Sequence, residues 1–291
     1  MFHGSIPALI TPFKNGAIDG DAFAQLIERQ IAGGSSALVP CGTTGESATL
    51  SHDEHKQVVE RCIDVAGGRV PVIAGAGSNS TQEAIELVQH AKTVGADAAL
   101  VICPYYNKPD QAGLDAHFRA IDAAASLPIV LYNVPSRTAS DLLPETVGGL
   151  AKLPNIIGIK DASNDLGRVS MHAALADEMQ FIQLSGEDPS SLGHRAMGGT
   201  GCISVTANVA PELCAEMHAA FDAGDLKKAQ QIDRRLTHIH RAMFLSPSPG
   251  PAKHVLAKMG VCSDEVRLPI VMPDARTRAE IDAAMSRAGL G

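Results

Sequence analysis

At 291 residues, 45% of them hydrophobic and 19% charged, the chain has the apolar content of an ordinary globular protein, and either one α/β barrel or two smaller domains fits its length. Lys and Arg number 24 against 32 Asp and Glu, a formal charge of −8 with no basic run, which argues against nucleic acid as a partner and leaves local positive groups to meet any anionic substrate. The six cysteines, at 41, 62, 103, 202, 214 and 262, include no C-x-x-C pair, a pattern that suits reduced thiols in a cytoplasm better than a disulfide framework or a zinc site. Met1-Phe2-His3-Gly4-Ser5 has neither a basic nor an apolar leader character, so no signal peptide is expected. No apolar stretch approaches the length of a membrane span.

In chain order, strand-like apolar runs recur at Ile6 to Ile10, Ala37 to Pro40, Val70 to Ala74, Ala98 to Cys103, Pro128 to Leu131, Ile156 to Ile159, Phe181 to Leu184 and Cys202 to Val205. Helix-period segments separate them. Asp21 precedes one, Ser51-x-x-Glu54 and Ser80-x-x-Glu83 read as capping boxes, and Pro144, Pro189 and Pro211 suit first helical positions. Gly33-Gly34, Gly67-Gly68 and Gly95 close the matching helices. The repeat of about 30 residues is that of one βα unit. Eight in succession predict an α/β fold, a (β/α)8 TIM barrel. A doubly wound sheet would favour a glycine-rich phosphate fingerprint after the first strand, and Thr11-Pro12-Phe13-Lys14 is not one.

The chain continues well past the eighth run. Leu226, Ala229, Ile232, Leu236, Ile239 and Met243 recur at helical spacing, Ser246 to Pro251 interrupts, and shorter helices are expected near 252–259 and 277–288. The expected division is therefore a catalytic barrel over residues 1–223 and a C-terminal helical extension over 224–291.

In a barrel the working groups sit at the carboxyl ends of the strands. The run Asn155 to Ala162 is apolar and β-branched and delivers Lys160 at its end. Burial there disfavours the ammonium and favours a neutral, nucleophilic amine, which Schiff-base chemistry on a carbonyl needs. Gly42-Thr43-Thr44-Gly45-Glu46-Ser47 follows the second run, with backbone N–H groups and two hydroxyls able to meet a carboxylate. All three tyrosines of the chain follow strands: Tyr105 and Tyr106 after the fourth, Tyr132 after the fifth. Tyr132, one strand away from Lys160, is placed to transfer protons during imine formation. Gly186 and Ile203, at the ends of the seventh and eighth runs, line the pocket wall, while Ser185, Glu187, Asp188 and Ser204 read as loop and cap residues. His52-Asp53-Glu54-His55 lacks the spacing of a zinc-binding H-E-x-x-H, so no metal site is expected.

Taken together, Gly42-Thr43-Thr44-Gly45-Glu46, Tyr105-Tyr106-Asn107, Tyr132-Asn133-Val134-Pro135-Ser136-Arg137, Gly158-Ile159-Lys160 and Ser204-Val205-Thr206-Ala207-Asn208 resemble, in order and spacing, the dihydrodipicolinate synthase family of pyruvate-dependent class I aldolases. The resemblance spans essentially the whole chain. It implies a Schiff base between Lys160 and pyruvate, no metal or organic cofactor, and proton transfer by Tyr132. It implies that Tyr106 crosses a dimer interface to complete a relay through Thr44, and that Thr43 and Thr44 hold the pyruvate carboxylate. Arg137 would bind the carboxylate of the second substrate, L-aspartate 4-semialdehyde. The product would enter diaminopimelate and lysine biosynthesis in the cytoplasm, and the assembly would be a homotetramer built as a dimer of dimers.

Sister enzymes on the same barrel, N-acetylneuraminate lyase and 2-keto-3-deoxy sugar acid aldolases, share the lysine and tyrosine. Arg137 separates them, because a small carboxylated aldehyde calls for a guanidinium and a long polyol for neutral hydroxyl partners. A catalytically dead, metabolite-sensing barrel would have no reason to keep Lys160, the tyrosines and Arg137 together. The resemblance also implies a site for L-lysine as feedback effector, formed by Ser47, Ala48, His52, His55, Asn79, Glu83 and Tyr105. Taken singly, Glu83 is also the capping partner of Ser80, and His52 and His55 are also first-turn surface residues.

Overall fold

The computed structural model describes residues 2–176 and 180–290. The chain divides into two compact units, one formed by residues 1–3 and 72–203, the other by 4–71 and 204–291.

The first unit is built on parallel strands in sequence order: Ile73–Gly75, Ala98–Ile102, Ile129–Asn133, Ile156–Asp161, Ile182–Ser185 and Gly201–Ser204, the last ending at the unit's boundary. Helices Thr81–Thr93, Gln111–Ala124, Pro144–Leu150, Gly167–Leu175 and Ser191–Ala196 alternate with them. Val101, Val130, Leu131, Ile159 and Leu184 are all buried, as expected of parallel strands covered on both faces. The register sets Ile102 beside Tyr132, Tyr132 beside Lys160, and Lys160 beside Leu184.

The second unit contains strand Gly4–Pro7, helices Gly20–Ala32 and His52–Ala66, and the C-terminal helices Pro211–Asp222, Leu226–Ala242, Gly250–Lys258 and Ala275–Ala288. Ala229, Ile232, Leu236, Ile239 and Met243 are buried as their spacing predicts, whereas Leu226 is exposed.

Several local expectations are corrected. Ala37 to Pro40 does not form a regular strand. It is bonded through Leu9 N to Val39 O (2.9 Å), Val39 N to Pro7 O (3.0 Å) and Leu38 N to Pro71 O (2.9 Å), but Leu38 and Val39 pair as isolated bridges, Ala8–Val39 among them, and not as a continuous ladder. Pro7, Pro40 and Pro71 have no N–H to give, so the ladder cannot continue. Phe13–Lys14 and Ala17–Ile18 instead form an antiparallel hairpin about Asn15-Gly16, whose φ angles of 55° and 82° are those of a tight primed turn. The helix at 20–32 is capped by Asp19, which accepts from Ala22 N at 3.0 Å, and not by Asp21. Ser51 and Glu54 form the full capping box. Ser80 caps Glu83 N at 3.5 Å, but its own N–H goes to Ser78 Oγ at 3.0 Å and the Glu83 carboxylate accepts from Ser78. Pro189 lies in a turn ahead of the helix that starts at Ser191, while Pro144 and Pro211 occupy first helical positions.

Candidate active site

The first unit holds Lys160 and Tyr132, the residues expected to act as nucleophile and proton-transfer group. Strand register puts Tyr132 and Lys160 side by side at the carboxyl ends of their strands, each 6% exposed, with the lysine Nζ 4.1 Å from the centre of the tyrosine ring. A strand end here removes the lysine stem from water while keeping its nitrogen against a phenol. Gly186 makes room for that stem. A Cβ at 186 would lie 3.1 Å from Lys160 Cε and 2.7 Å from Ala162 Cβ, so any side chain at this position would push on the Lys160 side chain. Ile203 is buried in its strand at 1% exposure.

Arg137 sits on the one-turn helix Pro135–Thr138 that follows the Tyr132 strand. The helix is closed by Thr138, whose hydroxyl donates to Ser140 O at 2.8 Å, and by Ala139 in the left-handed region at φ 56°. Arg137 itself is exposed, a cation presented to solvent. Of the other tyrosines, Tyr105 is 36% exposed and Tyr106 is 89% exposed with φ 71°. A phenol so exposed buries little apolar area within its own chain. In the same segment Asn107 Nδ2 donates to Asn79 O at 2.9 Å.

Thr43 and Thr44 belong to the second unit, in the 3₁₀ turn Thr43–Gly45 capped by Gly42. Two of the backbone N–H groups expected to meet an anion are committed to the turn, Gly45 N to Gly42 O at 3.0 Å and Glu46 N to Thr43 O at 3.1 Å. The hydroxyls of Thr43 and Thr44 therefore remain the turn's distinctive polar groups. Glu46 is no part of an anion cradle. It is buried and left-handed at φ 54°, its Oε1 is 2.6 Å from Lys253 Nζ, and its Oε2 accepts from Arg267 N at 2.9 Å. Ser47 and Ala48 occupy the next 3₁₀ turn, His52 is exposed on the first turn of its helix, and His55 is buried at 8%. These four fall in the second unit; Asn79, Glu83 and Tyr105 fall in the first.

Sequence reasoning missed a polar cavity bordered by Asp161, the residue after Lys160 on its strand. Asp161, Gln183, His172 and His194 line it together with Ser163 and Ser185. Asp161 Oδ2, Gln183 Oε1 and His194 Nδ1 find no hydrogen-bond partner within the described residues. Burial pulls His194 down to about 4 and lowers His172, so both rings are neutral at pH 7. His117, buried on the 111–124 helix with Nδ1 2.9 Å from Thr81 Oγ1, is likewise pulled down to about 4 by burial. The residues through 161–194 give no periodic signal for this cavity, since its lining comes from two strands and two helices.

These histidines predict an acid limb of stability. The unfolded chain takes up their protons near pH 6.5 and the native chain does not until about pH 4, so acidification through that window favours unfolding. The urea midpoint should fall from pH 6.5 to pH 4, and His117→Gln with His194→Gln should flatten the slope. A midpoint that is level in the parent protein across this range would contradict neutral, buried rings.

Among the described residues no group of three or more His, Cys, Asp or Glu is arranged to hold a metal ion, no helix is long and apolar enough to cross a membrane, and no disulfide joins the cysteines.

Comparison with known proteins matches residues 1–288 to the Dihydrodipicolinate synthetase family. A curated relative from Hyphomonas neptunium, named 4-hydroxy-tetrahydrodipicolinate synthase, is 70% identical over 291 residues, covering 100% of this chain and 99% of that protein. The solved dihydrodipicolinate synthase of Acinetobacter baumannii, in complex with pyruvate, is 41% identical with a TM-score of 0.97 and full coverage of both chains, 100% each. The enzyme from Cyanidioschyzon merolae, solved with lysine bound, is 38% identical with a TM-score of 0.96 over 100% of this chain and 99% of that one. The fold class expected from the sequence, a (β/α)8 barrel with a helical C-terminal extension, is that of these structures.

Proposed function

Because the chain belongs to the dihydrodipicolinate synthetase family, we propose that it is a lyase carrying out the 4-hydroxy-tetrahydrodipicolinate synthase reaction, the condensation of pyruvate with L-aspartate 4-semialdehyde that opens diaminopimelate and lysine biosynthesis. The observation that carries this reading is the Lys160 nitrogen 4.1 Å from the centre of the Tyr132 ring, both side chains nearly closed to water.

The Lys160 amine attacks the keto carbon of pyruvate, and Tyr132 hands a proton to the departing hydroxyl so that water leaves and an iminium forms. The iminium withdraws electrons from the neighbouring methyl, which loses a proton to give the enamine. The enamine carbon attacks the aldehyde of the semialdehyde, whose carboxylate Arg137 holds. The semialdehyde amine then attacks the iminium carbon, closing the ring and returning Lys160. The iminium is itself the electron sink, so this chemistry asks for no metal or organic cofactor.

Thr43 and Thr44 hold the pyruvate carboxylate, Gly186 and Ile203 shape the wall, and Thr44 links Tyr132 to a partner subunit's copy of Tyr106. The 89% exposure of Tyr106 supports a phenol that finds its burial in an assembly, here a dimer and, on family resemblance, a dimer of dimers. The unlinked thiols support a cytoplasmic location, and we take residues 1–223 as the catalytic barrel and 224–291 as its extension. Borohydride added with pyruvate tests the reading directly. A reduced adduct mapped to Lys160 is expected; an unchanged intact mass would remove the covalent mechanism.

L-Lysine is the effector in this reading. Ser47, Ala48, His52, His55, Asn79, Glu83 and Tyr105 form its site, with Glu83 meeting the α-ammonium and Asn79 and Tyr105 the carboxylate. The lysine-bound relative supports it. Tyr105 would touch the effector while its neighbour Tyr106 serves the relay, which couples the two sites. Initial rates should fall as L-lysine is titrated, and Glu83→Ala should keep activity while losing the response. Rates level to millimolar L-lysine would make the cluster structural.

A further inference from the structure

Arg137 rides on a loop whose two ends are fastened together. Asn133, fully buried at the end of the Tyr132 strand, accepts from Leu142 N through Oδ1 at 3.0 Å and donates through Nδ2 to Asp141 Oδ1 at 2.9 Å. The Asp141 carboxylate in turn takes both arms of Arg168, Nη1 to Oδ1 and Nη2 to Oδ2, each at 2.7 Å. Arg168 also reaches Leu142 O at 3.4 Å, and its side chain is only 14% exposed against 35% for Asp141. A parallel two-point guanidinium–carboxylate pair of this kind is strong and fixes orientation.

The pairing has a chemical consequence for the neighbouring cation. Asp141 lies four residues from Arg137 in the same short loop, and a carboxylate with uncommitted oxygens there would compete with any substrate carboxylate for the Arg137 guanidinium. Arg168 occupies both oxygens. We propose that Arg168 is a positioning residue that sequesters Asp141, so that Arg137 is presented unneutralised to the carboxylate of the second substrate. This rests on the assignment of Arg137 to that carboxylate. The Asn133–Leu142 bond closes the loop's neck, and the Asp141–Arg168 pair sets the charge that its apex displays.

Arg168→Met removes the guanidinium while keeping a long, flexible apolar side chain. It should raise KM for the semialdehyde about tenfold or more, with borohydride trapping of pyruvate on Lys160 unchanged. Adding Asp141→Asn to Arg168→Met removes the competing carboxylate, keeps an oxygen for Asn133, and should return the semialdehyde KM to within about threefold of the parent value. A purely structural role predicts instead that the Arg168→Met rise in KM comes with a lowered urea midpoint and weakened borohydride trapping of pyruvate on Lys160, because a loosened loop disturbs the neighbouring strand end as well. That result would overturn the proposal, as would an Arg168→Met protein with an unchanged semialdehyde KM. Arg137→Ala, run alongside, tests the underlying assignment separately. If it leaves the semialdehyde KM unmoved, Arg137 is not the carboxylate site. If it raises that KM while Arg168→Met does not, only the sequestration fails.

Discussion

Lys160→Ala should lower turnover by roughly three orders of magnitude or more and leave no pyruvate adduct after borohydride reduction, while the urea unfolding midpoint stays near or above that of the parent. The loss is large because no other group replaces the covalent step. Without the amine there is no iminium, and without the iminium the pyruvate methyl is not acidic enough to give a carbon nucleophile. The stability expectation follows from burial: Lys160 is 6% exposed with its nitrogen against an aromatic face, so removing it relieves a desolvated amine at the cost of a small cavity. Activity within tenfold of the parent would sink the Schiff-base mechanism. A collapse of the urea midpoint would show that Lys160 serves the fold instead.

The features legible in the sequence are those expressed within one strand or one turn. The β-branched run from Asn155 announces a buried strand, and the order of the fifth and sixth runs places Tyr132 beside Lys160, which the register repeats. The capping box at Ser51 and Glu54 is local and readable for the same reason. The hairpin at Asn15-Gly16 is masked by the brevity of its two-residue strands, Phe13–Lys14 and Ala17–Ile18, although an Asn-Gly dipeptide is itself a hairpin signal. Ala37 to Pro40 misleads because composition counts apolar residues, whereas a ladder counts donors, and three prolines supply none. What no local pattern carries is pairing across the chain. Asp141 and Arg168 are 27 residues apart and Glu46 and Lys253 are 207 apart, so each charge looks like a surface residue until its partner is in place. Glu46 reads as part of an anion-binding turn for that reason, when its carboxylate is already taken.

Lys253→Met should destabilise the protein by about 3–5 kcal/mol, read as a lowered urea midpoint. Lys253 is fully buried, and its Nζ meets Glu46 Oε1 at 2.6 Å, Glu265 O at 2.7 Å and the face of Phe13 at 4.1 Å. Arg267 stands 4.3 Å from the centre of the same ring and pairs with Glu54 at 2.6 and 2.7 Å, holding that carboxyl down at about 2. Burial lowers the Lys253 ammonium and Glu46 opposes it. The pair persists because each charge answers the other. Methionine fills the lysine stem's volume but leaves Glu46 buried as a lone anion. Glu46→Gln with Lys253→Met removes both charges and should recover more than half of the lost stability. If the double variant is as unstable as the single, the cost lies in lost packing against Phe13 and not in the stranded carboxylate. Because Glu46 directly follows the turn that carries Thr43 and Thr44, the single variant should also weaken pyruvate trapping by borohydride, and the double variant should restore it in step with stability.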